Sequence, residues 1–459
     1  MAFPERSAVI APRKSPKTGT EHSHPPPRAG QARAALVPLL VLLGLLAAVG
    51  AARMSVEMRR GVAIDFYQFW GVAGAAEVLP GESVYSLSNG ERLAQILFAQ
   101  AAETDSAPRR AAAEFRARRI DAVSTPFFYA CFRAFRTGDY DTDLRRYRLA
   151  ALAAFLLATL WAGRILGCAP STTLGALAFF LWAFPPLRFD LSEGNVNAVQ
   201  FALLALAIWL RRNPDRSWRT VAAGFVLSLA VLFKPNLAAA AALLVLGWGF
   251  LGRARDILRA ALGAALGAVA AVAASAWLLG STASWGDWLG TLRNLDRDFA
   301  VGVAQGNLGG ARLTGDALGW DPTVLLLIVL FGIVAGRLWG IRRALGGAPP
   351  AVPLVRDVDA LMIALGPAVA ILGTAIAWPH YAILCVPLCL LCLHWTEAES
   401  GIMRASALLV VAALAGFSST AWLEAAGVLA PLAHALALSA GVLALYAAGV
   451  LELRIRNDA

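Results

Sequence analysis

The sequence predicts an all-α polytopic membrane protein, a bundle of about twelve transmembrane helices with a long first extracytoplasmic loop. Three observations carry this. Of the 459 residues, 58% are hydrophobic and only 15% charged, whereas soluble domains average about 45–50% and about 25%. Apolar runs such as AALVPLLVLLGLLAAVGAA at 34–52 reach the roughly 20 residues that a helix needs to cross about 30 Å of hydrocarbon, and such runs recur. Arginine gathers in short loops on one side of those runs, as the positive-inside rule requires.

Residues 1–33 are rich in Pro and base (Arg6, Arg13, Lys14, Lys17, Arg28, Arg33) and read as a disordered cytoplasmic tail. The apolar run that follows is too long for a signal peptide and shows no clear cleavage site, so it is expected to be the first membrane helix. His22 and His24 in the tail lack a third ligand and read as solvated residues. The membrane domain is expected over 34–452 and a second cytoplasmic tail over 453–459, with both termini on the cytoplasmic side. Runs and breakers place spans near 35–52, 147–167, 172–187, 196–211, 219–234, 236–251, 257–280, 322–339, 358–376, 379–395, 403–420 and 427–450.

The loops RRNPDRSWR (211–219), GRARDILR (252–259) and GRLWGIRRALGGAPPAVPLVR (336–356) are basic and assigned to the cytoplasmic side. RFDLSEGN (188–195), the Lys234-Pro235-Asn236 break, 281–321 and Trp378-Pro379-His380-Tyr381 then fall outside. One short loop, 396–402, is acidic where a basic one is expected. The segment 53–146 is no polar linker. Its stretches ERLAQILFAQAAE (91–103) and TPFFYACFRAF (125–135) are amphipathic, as suits helices lying at the membrane interface. They serve either as a lid or docking element or directly in substrate binding.

A net charge of +10 would suggest nucleic acid in a soluble chain, but here it is first an orientation signal, and no nucleic-acid partner is expected. The five cysteines show no zinc spacing and read as small core hydrophobes. No metal-ligand quartet and no Ser/His/Asp set is found.

Four places hold residues fit for chemistry. Asp65, in GVAIDFYQFWG, sits among apolar and aromatic neighbours past the first helix and is either a helix cap or a base for a hydroxyl proton. Glu193, Asn195, Asn197 and Gln200 crowd the mouth of a span beside Gly194. Polar groups there either cap the helix or line a cavity. Lys234 stands alone between two apolar runs, where an ammonium snorkels to headgroups or holds a phosphate. Arg312 and His380 are further phosphate partners, and the Gly-rich stretch 302–315 reads as a flexible loop with Gln305, Asn307 and Arg312 as contacts. It matches no nucleotide-binding fingerprint.

Taken in order over about 60–400, these residues resemble glycosyltransferase family 87, the polyprenol-phosphate-mannose-dependent mannosyltransferases of the GT-C superfamily. An Asp beside aromatics (Asp65, Phe66, Tyr67) is followed by a turn from Gly81 to Tyr85 and a Pro-aromatic segment (Pro126, Phe127, Phe128, Tyr129). Then come Gly194-Asn195-Val196-Asn197, Lys234-Pro235, Gln305-Gly306-Asn307 and Trp378, His380, Tyr381. Asn195 stands where the family usually has Gln, the Gln305-Gly306-Asn307 element is scrambled, and a Ser-Pro before the late Trp is missing.

The resemblance implies a GT-C-like bundle and an inverting transfer of a hexose, mannose by implication, from a polyprenyl-phosphate donor to a lipid or glycan acceptor outside the cytoplasm. Asp65 occupies the position of the general base, and Tyr67, Asn195, Asn197, Lys234, Asn307, His380 and Tyr381 fall in the matched elements; together with Glu193 and Arg312, proposed from the residues alone, they are expected to contact substrate. A phosphate leaving group needs little acid assistance, so neither a cofactor nor a metal is expected. The implied location is the plasma or inner membrane. A transporter or flippase of lipid-linked saccharides is the main rival, and a structural assembly subunit a third reading. Against transport stand the lack of an evident internal repeat and the gathering of ionisable residues at one face.

Overall fold

The computed structural model describes residues 29–293, 307 and 309–397, and all regular structure among them is helical. The first helix, α1 (Ala29–Glu57), leaves Leu36, Val37, Val41, Leu42 and Leu45 exposed. It packs on α8 (Pro170–Ala183), where a Cβ on Gly50 would lie 2.9 Å from Leu181 and Trp182 Nε1 donates to the Leu46 carbonyl at 2.9 Å. Small residues let helices approach this closely in a bilayer.

Between α1 and the next long helix the chain folds into five short helices: α2 (Ile64–Ala73), α3 (Ala75–Val78), α4 (Leu87–Ala102), α5 (Ala107–Phe115) and α6 (Pro126–Phe135). The amphipathic stretches expected at 91–103 and 125–135 are α4 and α6. Each start is written in the sequence: Ser86 and Ser106 accept from backbone N–H groups of the first turn of α4 and α5, and Thr125 from Phe128 N at 3.1 Å, with Pro126 at the first position of α6. Phe66, Phe69, Phe128 and Phe132 interlock between α2 and α6.

The long helix α7 (Tyr140–Leu166) is capped by Asp139 and stopped by Gly167 at φ 90°. After α8 the chain bends by 61° into α9 (Pro185–Glu193), then runs through α10 (Asn197–Arg211), α11 (Ser217–Phe233), α12 (Ala238–Phe250), α13 (Ala254–Leu279) and α14 (Ala283–Arg293). Beyond the next described residues follow α15 (Gly310–Leu318), α16 (Thr323–Ala344), α17 (Val352–Gly373) and α18 (Val386–Thr396). The pair α11–α13 is tight: added Cβ atoms on Gly224 and Gly263 would lie 2.2 Å and 1.9 Å from the carbonyl oxygens of Ala260 and Val221.

Four helices are long and apolar enough to cross a membrane (Leu36–Arg60, α7, α13 and α16), or five when the bent pair α8–α9 counts as one span. The chain is therefore a membrane protein. Twelve spans were expected over the whole sequence, and the described residues carry four or five of full length. Those expected at 196–211, 219–234, 236–251 and 379–395 are apolar helices of 10–17 residues. That expected at 358–376 is α17, buried on nearly every face. Of the tail expected over 1–33, residues 29–33 begin α1, while 1–28, the spans at 403–420 and 427–450 and the tail 453–459 lie outside the described residues.

Candidate active site

The site forms where α2, the α9–α10 junction, the end of α11 and the segment after α17 meet. Segment 188–193, expected as loop, is helix; α9 ends at Gly194 with φ 70°, and its Cβ position lies 2.5 Å from Phe66 Cβ. Only glycine fits both the left-handed backbone and that contact. Asn195 N then donates to the Asp190 carbonyl at 2.8 Å. The Asp190 carboxylate caps α10 from the preceding helix, accepting from Asn197 N at 3.2 Å, Asn197 Nδ2 at 2.7 Å and Ala198 N at 3.1 Å. Arg148 of α7 donates to the carbonyls of Leu191, Ser192 and Gly61, tying this junction to the approach to α2. Ala63, with φ 60° the one non-glycine residue at positive φ among the described residues, donates its N–H to Ser192 O at 3.1 Å.

Asn195 is the hub. Its Oδ1 accepts from Lys234 Nζ at 3.0 Å and from Val196 N at 2.8 Å, both donors only, which fixes the orientation of the amide. Its Nδ2 then donates to Asp65 Oδ2 at 2.7 Å and faces His380 Nε2 at 3.0 Å. Since Nδ2 has only hydrogens to offer, His380 Nε2 accepts and the imidazole is neutral, with its proton on Nδ1. The Tyr147 hydroxyl holds the Asn195 carbonyl at 2.6 Å. One amide thus joins a carboxylate, an ammonium and an imidazole.

Lys234 closes α11 in extended backbone, with its ammonium 4.6 Å from the centre of the Tyr381 ring. Among the described residues no carboxylate lies within ion-pair distance of it. An ammonium held by an amide oxygen and a ring face keeps its charge for a ligand. Asp65 is about a quarter exposed, with Arg116 3.6 Å from its second oxygen. Glu193 accepts from the Ile64 backbone and faces Asp65 as a like charge.

The structure thus brings together Asp65, Glu193, Asn195, Lys234, His380 and Tyr381, and Asn197 joins them through its Nδ2, which donates to Asn195 Oδ1 at 3.2 Å and to Asp190 at 2.7 Å. Tyr67 does not join them. It lies on the far side of α2 against Tyr140, its hydroxyl buried without a hydrogen-bond partner, and burial pushes the phenol up to about 12 against the pull of Arg109. Asn307 is fully buried and acts at one remove: it donates to Ala375 O at 2.8 Å and accepts from Ala377 N at 3.0 Å, fixing the strip that leads to His380. Arg312 pairs with Asp316 at 2.8 Å within α15, and no described contact joins it to the hub. Gln305 lies outside the described residues. Arg116 and Asp190 escaped the sequence reading. Arg116 sits in an Arg-rich run without a local signal, whereas an Asp seven residues before Asn197 was a legible capping distance only once 188–193 is seen as helix. Among the described residues no three His, Cys, Asp or Glu side chains converge as metal ligands.

No curated protein and no solved structure matches the chain. The family model for glycosyltransferase family 87 matches residues 124–365, just over half of the 459. That stretch holds Asn195 and Lys234; Asp65 and His380 lie on either side of it. The chain belongs to glycosyltransferase family 87, and the protein is a membrane glycosyltransferase.

Proposed function

We propose that the protein transfers a hexose from a polyprenyl-phosphate donor to a hydroxyl of a lipid or glycan acceptor, on the extracytoplasmic side, with inversion at the anomeric carbon. Mannose is the sugar that the family resemblance implies. The observation that carries the reading is the Asn195 hub, which sets one carboxylate and one ammonium, without an ion-pair partner among the described residues, on opposite atoms of a single amide.

In this mechanism the acceptor hydroxyl lies against Asp65 and its oxygen attacks the anomeric carbon. The new C–O bond forms as the bond to the phosphate oxygen breaks. The proton passes to the Asp65 carboxylate and the electron pair leaves on the phosphate, whose charge meets Lys234. His380, neutral at rest, offers a further hydrogen bond to a phosphate oxygen once its ring turns from Asn195. The polyprenyl tail stays in the bilayer beside the apolar helices. Membership in a glycosyltransferase family leaves the transporter reading without support of its own.

The test is sugar transfer from radiolabelled polyprenyl-phosphate mannose into endogenous acceptors, by membranes containing the wild type or Asp65→Asn at equal expression. Transfer by the wild type that collapses by about 1,000-fold or more in the variant is expected for loss of the base. Equal transfer by both proteins would remove Asp65 from the mechanism, and no transfer with any polyprenyl-phosphate hexose would remove the donor class.

A further inference from the structure

The Asp65 carboxylate is held on two sides by different parts of the chain. Asn195 donates to Oδ2 at 2.7 Å, and the Arg116 guanidinium stands 3.6 Å from Oδ1. The second distance is too long for a hydrogen bond, so Arg116 acts on Asp65 through charge. Both side chains are only about a quarter exposed, which preserves more of that attraction than a fully solvated pair would keep.

Arg116 is not a loose surface arginine. It ends α5, its N–H bonded to Ala112 O at 3.1 Å, and its guanidinium stands 5.6 Å from the centre of the Phe115 ring. The chain after it is fixed: Ile120 N donates to Gly90 O at 3.2 Å, and Gln68 of α2 donates to Asp121 O at 2.6 Å. Gly90 lets α4 approach there, since a Cβ on it would lie 2.6 Å from Ile120 O. The Arg116 Nε is buried and makes no hydrogen bond. A guanidinium placed with this much scaffolding, and with donors to spare, is set for its charge.

That charge bears on two carboxylates, since Arg116 also offsets part of the charge at Glu193. Glu193, at the end of α9, is a like charge against Asp65, and Tyr147 of α7 also faces it. Lys234 and His380 reach it only through the Asn195 amide. Arg116 is the one cation in direct contact with Asp65 among the described residues.

Resting on the reading of Asp65 as the base, we infer that Arg116 is a positioning residue of the transfer: it turns and holds the Asp65 carboxylate against repulsion from Glu193, so that the acceptor hydroxyl meets a fixed oxygen. The role concerns alignment of the base, so removal lowers the rate of chemistry and leaves donor binding in place.

The experiment measures initial rates over a range of polyprenyl-phosphate mannose, with endogenous acceptors, for wild type, Asp65→Asn, Arg116→Gln and Arg116→Lys, with the melting temperature of each purified protein. Arg116→Gln is expected to lower kcat by about tenfold or more with the donor KM within about twofold, and Arg116→Lys to recover much of the loss because the charge returns. Melting temperatures near that of the wild type exclude a merely structural effect. An unchanged kcat in Arg116→Gln, or a raised KM at unchanged kcat, overturns the inference while Asp65→Asn still shows the base to be required. Full activity of Asp65→Asn, or an inactive wild type, overturns the reading of the base and this inference with it.

Discussion

At the scale of single residues, the site depends on one neutral side chain. Every hydrogen-bonding atom of the Asn195 amide is committed: Nδ2 to Asp65 and His380, and Oδ1 to Lys234, Val196 N and Asn197 Nδ2 at 3.2 Å. Sequence reasoning expected Asn195 to bind substrate, whereas its atoms go to other protein groups. In the proposed mechanism it would support the reaction by fixing how far the carboxylate stands from the ammonium. Asn195→Ala is therefore expected to lower kcat by about 100-fold, the usual cost of a misplacement near 1 Å. It should also raise the donor KM, because Lys234 loses its anchor. Rates against donor concentration check both, and a variant with only one parameter changed would separate the base side from the phosphate side. The convergence itself was not legible locally. Asn195 lies 130 residues from Asp65 and 185 from His380, so no window on the chain contains two of the three. The order of the motifs along the chain pointed to them as a set, and only the fold shows that one amide binds them.

At the scale of elements, the position of Lys234 is set by the helix it ends. The α11 helix rests on α13 through bare backbone, with no room for a Cβ at Gly263, 1.9 Å from Val221 O, or at Gly224, 2.2 Å from Ala260 O. Gly263→Val must push the helices apart, and overpacking of this kind costs about 1–3 kcal/mol. The expected result is a lower melting temperature together with a raised donor KM, since Lys234 moves with α11. Gly332→Ala on α16, where nothing lies within 4 Å of the added Cβ, serves as the control and should leave transfer unchanged. At this scale the sequence shows the breaks, and the structure identifies the capping residues at the helix starts. Ser86, Ser106, Thr125 and Asp139 mark helix starts as capping residues do, and Lys234-Pro235 and Trp378-Pro379 mark breaks. What could not be read is which apolar helices face lipid. Val355, Ile363, Ala364 and Ala368 in α17 are as apolar as Val324, Leu325 and Ile328 in α16, yet the former are fully buried and the latter exposed.

At the scale of the molecule, α10 carries polar anchors at both ends. Its first turn meets Asp190 and the hub. Its last residue, Arg211, is fully buried and pairs with Asp359 of α17 at 2.7 Å, with Asp256 of α13 at 3.5 Å and, through a hydrogen bond, with Thr220 of α11. Trp248 of α12 completes the set by donating to Asp359 Oδ1 at 2.8 Å. The loop 211–219 was read as an orientation signal because of its arginines, and its first arginine is instead a core residue joining five helices. A helix of 15 residues spans about 22 Å, so this lock is far from the chemistry and bears on stability and register. Breaking it by Arg211→Ala leaves the buried Asp359 carboxylate without its cation, while Asp256 keeps Arg253 at 2.6 Å, and should cost about 3–5 kcal/mol. Replacing both partners, Arg211→Met with Asp359→Leu, removes the charges together and should recover most of that loss, because the desolvation cost disappears with the attraction. The rates of transfer in the double variant decide what the lock is for. Wild-type kcat and KM at restored melting temperature make it a device of folding alone. A restored melting temperature with a lowered kcat would mean that the ion pair sets the axial register of α10, and through it the place of Asn195 beside Asp65.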